Sequence, residues 1–474
     1  MLNSKILKNI FSLSTAEVYN KILLFITTAY LARTILTDGL GAINLAQSMS
    51  TYLLLLIVTG LDAYGIKELA KNRDKMRTLV NTLFSAKFFL SILAYLVLFI
   101  IVLLINKEFE VKVVILIFGF TIFAQVNYLN WVFMGLEKME IVAIRLAITS
   151  SLNLIGILLL VHSPADTWLA ALIIASSQLI NALWMIIYYI KKYNKIEIRI
   201  NIGDWLYHIK KAMPIGFSFL ITAFYNNIGI ILVGLMLTTG YLYQTGILGT
   251  ALKALIISMS PLMIFQQAFY PQLSRSNSIE ERSNLLKNYT KITFLTGSLL
   301  AGIIFFYSDA LIVFAFGQAF VESAALLKIL APALLLMYIN VSFSIPLIAW
   351  GYEKKVLYTV LTAGIVNLIL NLIFIPEYGM YAVAYISLLT EFIVAVGLSF
   401  NIRSIVQKTY YTTLAILSLL AILSFGLPSL FLNLHWSINI SISIIAFIVL
   451  VFASKQIELR QIKNLFSKSN AKVD

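Results

Sequence analysis

The stretch Ser14–Arg33, STAEVYNKILLFITTAYLAR, is apolar enough to enter a lipid bilayer, yet it contains Glu17, Asn20 and Lys21. A hydrocarbon core about 30 Å thick takes roughly 20 apolar residues in a helix. A helix that begins near Ile10 carries Lys21 eleven residues in, about 16 Å along its axis and close to the midplane. Starting it after Lys21 leaves too few residues before Arg33 to cross. The lysine therefore belongs inside the span, where snorkelling to the headgroups is hard. Glu17, Asn20, Lys21, Leu24 and Thr28 follow helical spacing and share one face. Two readings of that face are open. Glu17 and Lys21, four residues apart, can pair and lock the helix to its neighbours. Or the face is a polar, net-cationic wall of a water-filled cavity that receives an anion.

The rest of the chain extends this pattern. Of its 474 residues 60% are hydrophobic and 12% charged, too little charge to cover a soluble domain of this size. Full-length apolar runs recur at 10–33, 40–61, 79–105, 113–134, 142–161, 167–190, 214–237, 245–270, 292–315, 325–350, 356–375, 380–400, 410–430 and 438–454. The predicted class is an all-α polytopic membrane protein of about fourteen transmembrane helices. The first run lacks a small-residue cleavage site, so no cleavable signal peptide is expected. The chain has no cysteine, which excludes disulfides, iron–sulfur clusters and thiolate chemistry.

With the amino terminus placed inside, 28 of the 35 lysines and arginines fall on inside segments. Arg33, Lys107 and Lys112 alone fall outside, so both termini are expected to be cytoplasmic. The net charge of +14 is then a topology signal and not a nucleic-acid footprint. Four lysines remain within spans: Lys21, Lys87, Lys253 and Lys328. Two acids, Glu17 and Glu391, stand against them within the spans, and on that count pairing cannot neutralise every lysine. An unpaired buried cation calls for an anion that comes and goes. Lys253 is well inside its span, whereas Lys87 and Lys328 lie nearer span ends and can snorkel. Glu391 is mid-span and suits either a proton carrier or a partner for Lys328, and Glu17 is the other acid open to coupling a proton or sodium ion.

An internal repeat organises these spans. TAEVYNKILLFITTAYLARTILTDGLGAINLAQ from Thr15 resembles TAFYNNIGIILVGLMLTTGYLYQTGILGTALK from Thr222. Both reach a Tyr-Asn pair, Tyr19-Asn20 and Tyr225-Asn226, which adds Asn226 to the expected polar lining. The two stretches open spans one and seven, as in transporters built from two six-helix units with substrate between them. Residues 191–213 form the longest loop and the expected linker. The predicted domains are 1–200, 201–405 and two extra helices with a tail over 406–474. Pro261 and Pro332 are expected to bend or break their spans.

Catalytic signatures are missing. No outside loop is long enough to hold a glycosyl acceptor, and there is no P-loop. The three histidines have no metal spacing. No catalytic residue, metal site or cofactor is expected; the chain is read as moving a substrate and not as an enzyme.

Four segments carry a family resemblance. GLDAYGIKELAKNRDK (Gly60–Lys75) resembles the cytoplasmic loop after span two of Wzx-type polysaccharide flippases. NLILNLIFIPEYGMYAVAYISLLTE (Asn367–Glu391), WVFMGLEKMEIVAIR (Trp131–Arg145) and FQQAFYPQLSR (Phe265–Arg275) are similar to patterns of the same family. The resemblance implies the multidrug/oligosaccharidyl-lipid/polysaccharide (MOP) exporter superfamily, with two six-helix bundles around a central cavity and two further helices. It implies flipping of an undecaprenyl-diphosphate-linked oligosaccharide, an O-antigen, capsule or exopolysaccharide unit, across the bacterial inner membrane. Cationic side chains of the family lie on the first and eighth helices, which matches Lys21 and Lys253. Relatives often have Arg there, which grips a diphosphate in a bidentate way, whereas Lys is a point charge. Lys67, Lys71 and Arg73 fix topology and touch anionic headgroups, or gate entry. The expected partners are membrane lipids, a polysaccharide polymerase and a chain-length regulator, around a monomer. A drug or metabolite exporter, a lipid II flippase and, less favoured, a membrane glycosyltransferase or polymerase are the alternatives.

Overall fold

The computed structural model describes residues 4–58, 60–276, 278–403, 410–431 and 434–454; the side chains of 4–14, 56–58, 214–215, 217–227, 410–413 and 430–431 lie outside that description. In a bilayer no water meets a bare N–H or C=O, so helices that close their own hydrogen bonds are the form expected of such apolar runs. Among the described residues every regular element is a helix, with no strand. The helices are α1 (Ser4–Thr34), α2 (Leu36–Val58), α3 (Leu61–Lys71), α4 (Met76–Leu104), α5 (Phe109–Gly119), α6 (Thr121–Asn127), α7 (Asn130–Gly135), α8 (Met139–Leu160) and α9 (Thr167–Lys192). They continue with α10 (Ile202–Met236), α11 (Tyr241–Ser258), α12 (Ser260–Arg275), α13 (Ile279–Phe316), α14 (Val321–Ala349), α15 (Glu353–Ile402), α16 (Tyr410–Phe431) and α17 (Trp436–Ala453). Among the described residues nine helical segments are long and apolar enough to cross a membrane.

Several expected spans take another form. The run 113–134 is three helices, α5, α6 and α7, broken at Phe120 and at the extended Tyr128. The run 245–270 is two, and the break at Met259 sets Pro261 in the first turn of α12, where its missing N–H costs nothing. Pro332, by contrast, lies inside a continuous α14. Two expected spans form the 50-residue α15, about 75 Å if straight and far too long for one crossing. It is not straight. Gly379 has φ 55° beyond Pro376, and Asn367 reaches across to Thr390 at 2.9 Å, so the arms fold back on each other. The expected loop 191–213 shrinks to residues 193–201, because α10 already begins at Ile202, capped by Asn201. The expected loop after span two is mostly helix: Leu61, Tyr64, Gly65 and Leu69 form the buried stripe of α3.

Two compact units divide the chain, residues 2–249 and 250–474. In the first, α3 packs on α7 and α10. Gly65 lies against the Trp131 indole and Leu69 against Gly135, which joins two of the segments that carry the resemblance. Gly60, at φ 77°, sits against Gly216, where a side chain has no room. The matched stretches of the repeat also meet here. Added methyl groups on Gly41 and Gly246 would collide with the Leu242 and Thr37 carbonyls, and Asn44 donates to the Thr245 carbonyl at 3.2 Å. Residues 193–201 run as an extended strap along α4: the Glu197 N–H donates to Asn81 Oδ1 (3.1 Å) and the Arg199 N–H to Ser85 Oγ (2.9 Å). In the second unit α16 and α17 pack on α13 through Phe294, Tyr307, Phe425 and Phe447.

Candidate functional site

Charge inside the membrane decides the candidate site, because each ionised group there costs about 2.5–3.5 kcal/mol unless something compensates it. The first unit holds most of the candidates. On α1, Glu17 and Lys21 are exposed and Asn20 is half-buried. Glu17 and Lys21 do not bridge to each other among the ion pairs of the described residues. Their helix instead docks on α8 by hydroxyls: Ser150 donates to Asn20 Oδ1 at 2.6 Å, and Tyr19 and Ser151 share a bond of 3.0 Å.

Lys87 is buried on α4 and donates to Asp62 Oδ1 at 2.7 Å. The carboxylate sits at the start of α3, within the segment read as a loop, so the sequence count of acids left it out. Lys67 and Lys71 are exposed on the solvent side of α3, and Arg73 approaches Glu137 at 3.7 Å.

In the second unit Lys253 is half-buried on α11. Lys328 bonds to Asp309 at 2.5 Å, not to Glu391, which corrects one of the two expected roles of that acid. Asp309 lies in the expected ninth span and was missing from the count. Glu391 is buried and takes a hydrogen bond from Asn340 Nδ2 at 2.6 Å. Around it Asn367 donates to Thr390 (2.9 Å) and Asn371 to Asn367 Oδ1 (2.9 Å), joining α14 and both arms of α15 in one buried polar cluster. The Oδ1 atoms of Asn340 and Asn371 are buried there without a donor. The Asn226 side chain lies outside the described residues.

Arg145 is the residue that sequence reasoning misplaced. The expected span 142–161 contains Arg145, yet its charge falls in the inside count of 28 and not among the cations within spans; α8 begins at Met139, which sets Arg145 about 9 Å into the helix. Its guanidinium lies 4.5 Å over the Tyr128 ring and its buried Nε has no hydrogen-bond partner. No carboxylate pairs with it among the described residues. The ring contact returns about 0.5–2 kcal/mol, less than the cost of the charge. The signal available in the sequence was the apolar run EIVAIRLAI, which has no turn residue to end a loop after Arg145.

Comparison with known proteins places this arrangement. A family model described as polysaccharide biosynthesis protein matches residues 6–277, more than half of the chain. The chain belongs to the polysaccharide biosynthesis protein family. Relatives of the chain include a "Putative O-antigen transporter" of Escherichia coli (strain K12), 21% identical over 379 residues that cover 77% of this chain and 88% of that one. Another, of Shigella dysenteriae, is 23% identical over 397 residues, 82% and 97% of the two chains. Among solved structures, the lipid II flippase MurJ in an inward closed conformation matches with a TM-score of 0.73 over 96% of this chain and 99% of its own, at 17% identity. An inward-facing multidrug resistance MATE family transporter of the MOP superfamily matches at 0.61 over 82% and 98%, at 14% identity. These likenesses show a MOP-type fold, as the sequence resemblance implied. The family member described here is thus a multi-pass membrane protein with a transporter's architecture.

Proposed function

We propose that the protein flips an undecaprenyl-diphosphate-linked oligosaccharide, an O-antigen or other polysaccharide repeat unit, from the cytoplasmic to the outer leaflet of the bacterial inner membrane. The observation that carries this reading is the family match over residues 6–277, a region that includes the cation-bearing first helix. Both termini are taken as cytoplasmic. Lys21 and Lys253 draw in the diphosphate, the sugar occupies a polar cavity and the prenyl tail stays in lipid. Alternating access then exposes the headgroup outside, by rocking of residues 1–200 against 201–405, with 406–474 riding on the second body. Residues 201–249 pack with the first unit in this structure, so they are the part that changes neighbours. An inside-negative potential assists export of a polyanion by about 2.3 kcal/mol per charge per 100 mV. Glu391, buried against Asn340, is the group suited to couple a proton or sodium ion. A polysaccharide polymerase and a chain-length regulator are its working neighbours, and the transporter itself acts as a monomer.

Proteoliposomes loaded with a labelled undecaprenyl-diphosphate oligosaccharide test this. Wild type is expected to bring the headgroup within reach of an enzyme on the far side, and folded Lys21→Ala and Lys253→Ala variants to do so at least tenfold more slowly. Transport of small cations with no effect on any lipid-linked sugar would move the protein to the drug-exporter branch. Selective turnover of lipid II would make it a peptidoglycan flippase.

A further inference from the structure

Arg145 on α8 is not used by the mechanism above, and its surroundings are built. Tyr128, whose ring lies 4.5 Å under the guanidinium, is steadied by its hydroxyl on the Gln178 carbonyl at 3.4 Å. Asn181 on α9 donates to the Arg145 carbonyl at 2.7 Å and to Thr149 Oγ1, and the Thr149 hydroxyl donates to the same carbonyl at 2.9 Å. These contacts fix the ring and the backbone on either side of the arginine while leaving its buried Nε unpartnered. The contrast with Lys87 and Lys328 is direct: each of those has an aspartate within 2.7 Å, and Arg145 has no carboxylate among the described residues. Neutralisation by proton loss is closed to arginine. Its planar fork of N–H donors matches the oxygens of a phosphate, and such bonds strengthen away from water.

We propose that Arg145 is the heart of a phosphate-binding site inside the first unit, framed by Tyr128, Thr149 and Asn181, that takes the phosphate of a lipid. The proposal rests on the flippase reading in identifying that lipid as the diphosphate carrier of the transported sugar. The same chemistry is offered by the headgroup of a resident anionic phospholipid. A buried acceptor, Asn181 Oδ1, lies beside the site without a donor and suits a hydroxyl carried next to the phosphate. Arg145 lies about 9 Å along α8 from its first residue, within a helix long and apolar enough to cross a membrane.

Native mass spectrometry of the full-length protein in detergent tests the site with three probes: undecaprenyl diphosphate, phosphatidylglycerol and zwitterionic phosphatidylethanolamine. Wild type is expected to hold undecaprenyl diphosphate at least tenfold more tightly than Arg145→Gln. Arg145→Lys should fall between them, because it keeps the charge and loses the fork. Equal displacement by phosphatidylglycerol would keep the phosphate site and assign it to a resident lipid. Arg145→Gln binding all three lipids as wild type does would overturn the proposal.

If the variants do not fold, phenylglyoxal labelling of wild type decides. Undecaprenyl diphosphate should protect Arg145 from the reagent, and full labelling in its presence overturns the site. Failure of the two readings is separable. Loss of lipid binding by Arg145→Gln in a protein whose wild type flips nothing removes the transport reading and leaves the site. Normal flipping and normal lipid binding by Arg145→Gln remove the site and leave the transport reading.

Discussion

Lys87 and Asp62 share one ion pair but not one environment: the lysine side chain is 2% exposed and the aspartate side chain 41%. The two halves should therefore respond unequally to substitution. Asp62→Asn leaves a buried ammonium without its counter-charge, at an expected cost of about 3 kcal/mol or more. Lys87→Met fills the same space with an apolar chain and leaves a carboxylate that water can reach, at an expected cost of about 1 kcal/mol. Thermal unfolding in detergent should show the larger fall in Tm for Asp62→Asn; the opposite order would sink this account. At this scale the sequence was partly legible. Helical spacing placed Lys21, Asn20 and Thr28 on one face, and Asn20 and Thr28 do bond within or beside α1. It could not show that Lys87 has Asp62 or that Lys328 has Asp309, because those pairs join helices, and spacing along one helix carries no information about the next. Arg145 was lost for a different reason: it falls where the inside count and the expected span 142–161 overlap, and hydropathy fixes the start of a span only to within a few residues.

Among the elements, the strap over residues 193–201 offers a pH-dependent test. Glu197 lies outside the membrane-spanning helices, and hydrogen bonds from Arg199 and then Arg77 hold its carboxyl below the usual glutamate range. A depressed carboxyl contributes stability that is complete above the ordinary glutamate value, about 4.3, and is lost as pH falls through the lower folded value. Hydrogen exchange of the peptide 193–201, corrected for intrinsic rate, should show protection at neutral pH that declines toward pH ~3. In Glu197→Gln the protection should be lower at neutral pH and flat with acidity. Unchanged protection in that variant would mean that Asn81 and Ser85 alone hold the strap.

Glycines give the second test at this scale. Gly246→Ala pushes a methyl group into the Thr37 carbonyl, a backbone atom that cannot rotate away, with an expected cost of about 1–3 kcal/mol. Gly364→Ala in α15 meets open space and should be neutral or slightly stabilising. Equal melting of the two variants would refute the close approach. Breaks such as Met259 and Gly379 were only half legible. Proline and glycine announce that something happens nearby, but whether a helix kinks, restarts or folds back depends on what it packs against.

At the scale of the whole chain, the class of fold was the most legible property. A membrane span demands about 20 apolar residues and no bare backbone, and composition reports that demand directly. The family was legible as well, through segments such as Gly60–Lys75 and Trp131–Arg145. The structure gives those segments a physical meaning by packing Gly65 on Trp131 and Leu69 on Gly135. The helix ends were less legible. The basic segment 62–78 looked like a loop because it is charged, but its charges line the outside of α3, whose buried stripe has helical spacing. Charge alone does not distinguish a loop from a helix lying with one face on a protein surface.

The joint in which Gly41 meets the Leu242 carbonyl and Gly246 meets the Thr37 carbonyl has a mechanical consequence. It is a clasp of bare peptide against bare peptide, with no ion pair to strip of water and no long side chain to freeze. Its strength is the sum of many dispersion contacts of about 0.1–0.2 kcal/mol each, of which roughly a quarter to a half is lost at a gap of about 0.5–1 Å. Such a clasp holds firmly when shut, has little reach once parted and leaves nothing sticky behind. A joint of this kind suits the alternating access proposed above, and the smallest residue in the genetic code is what makes the joint possible.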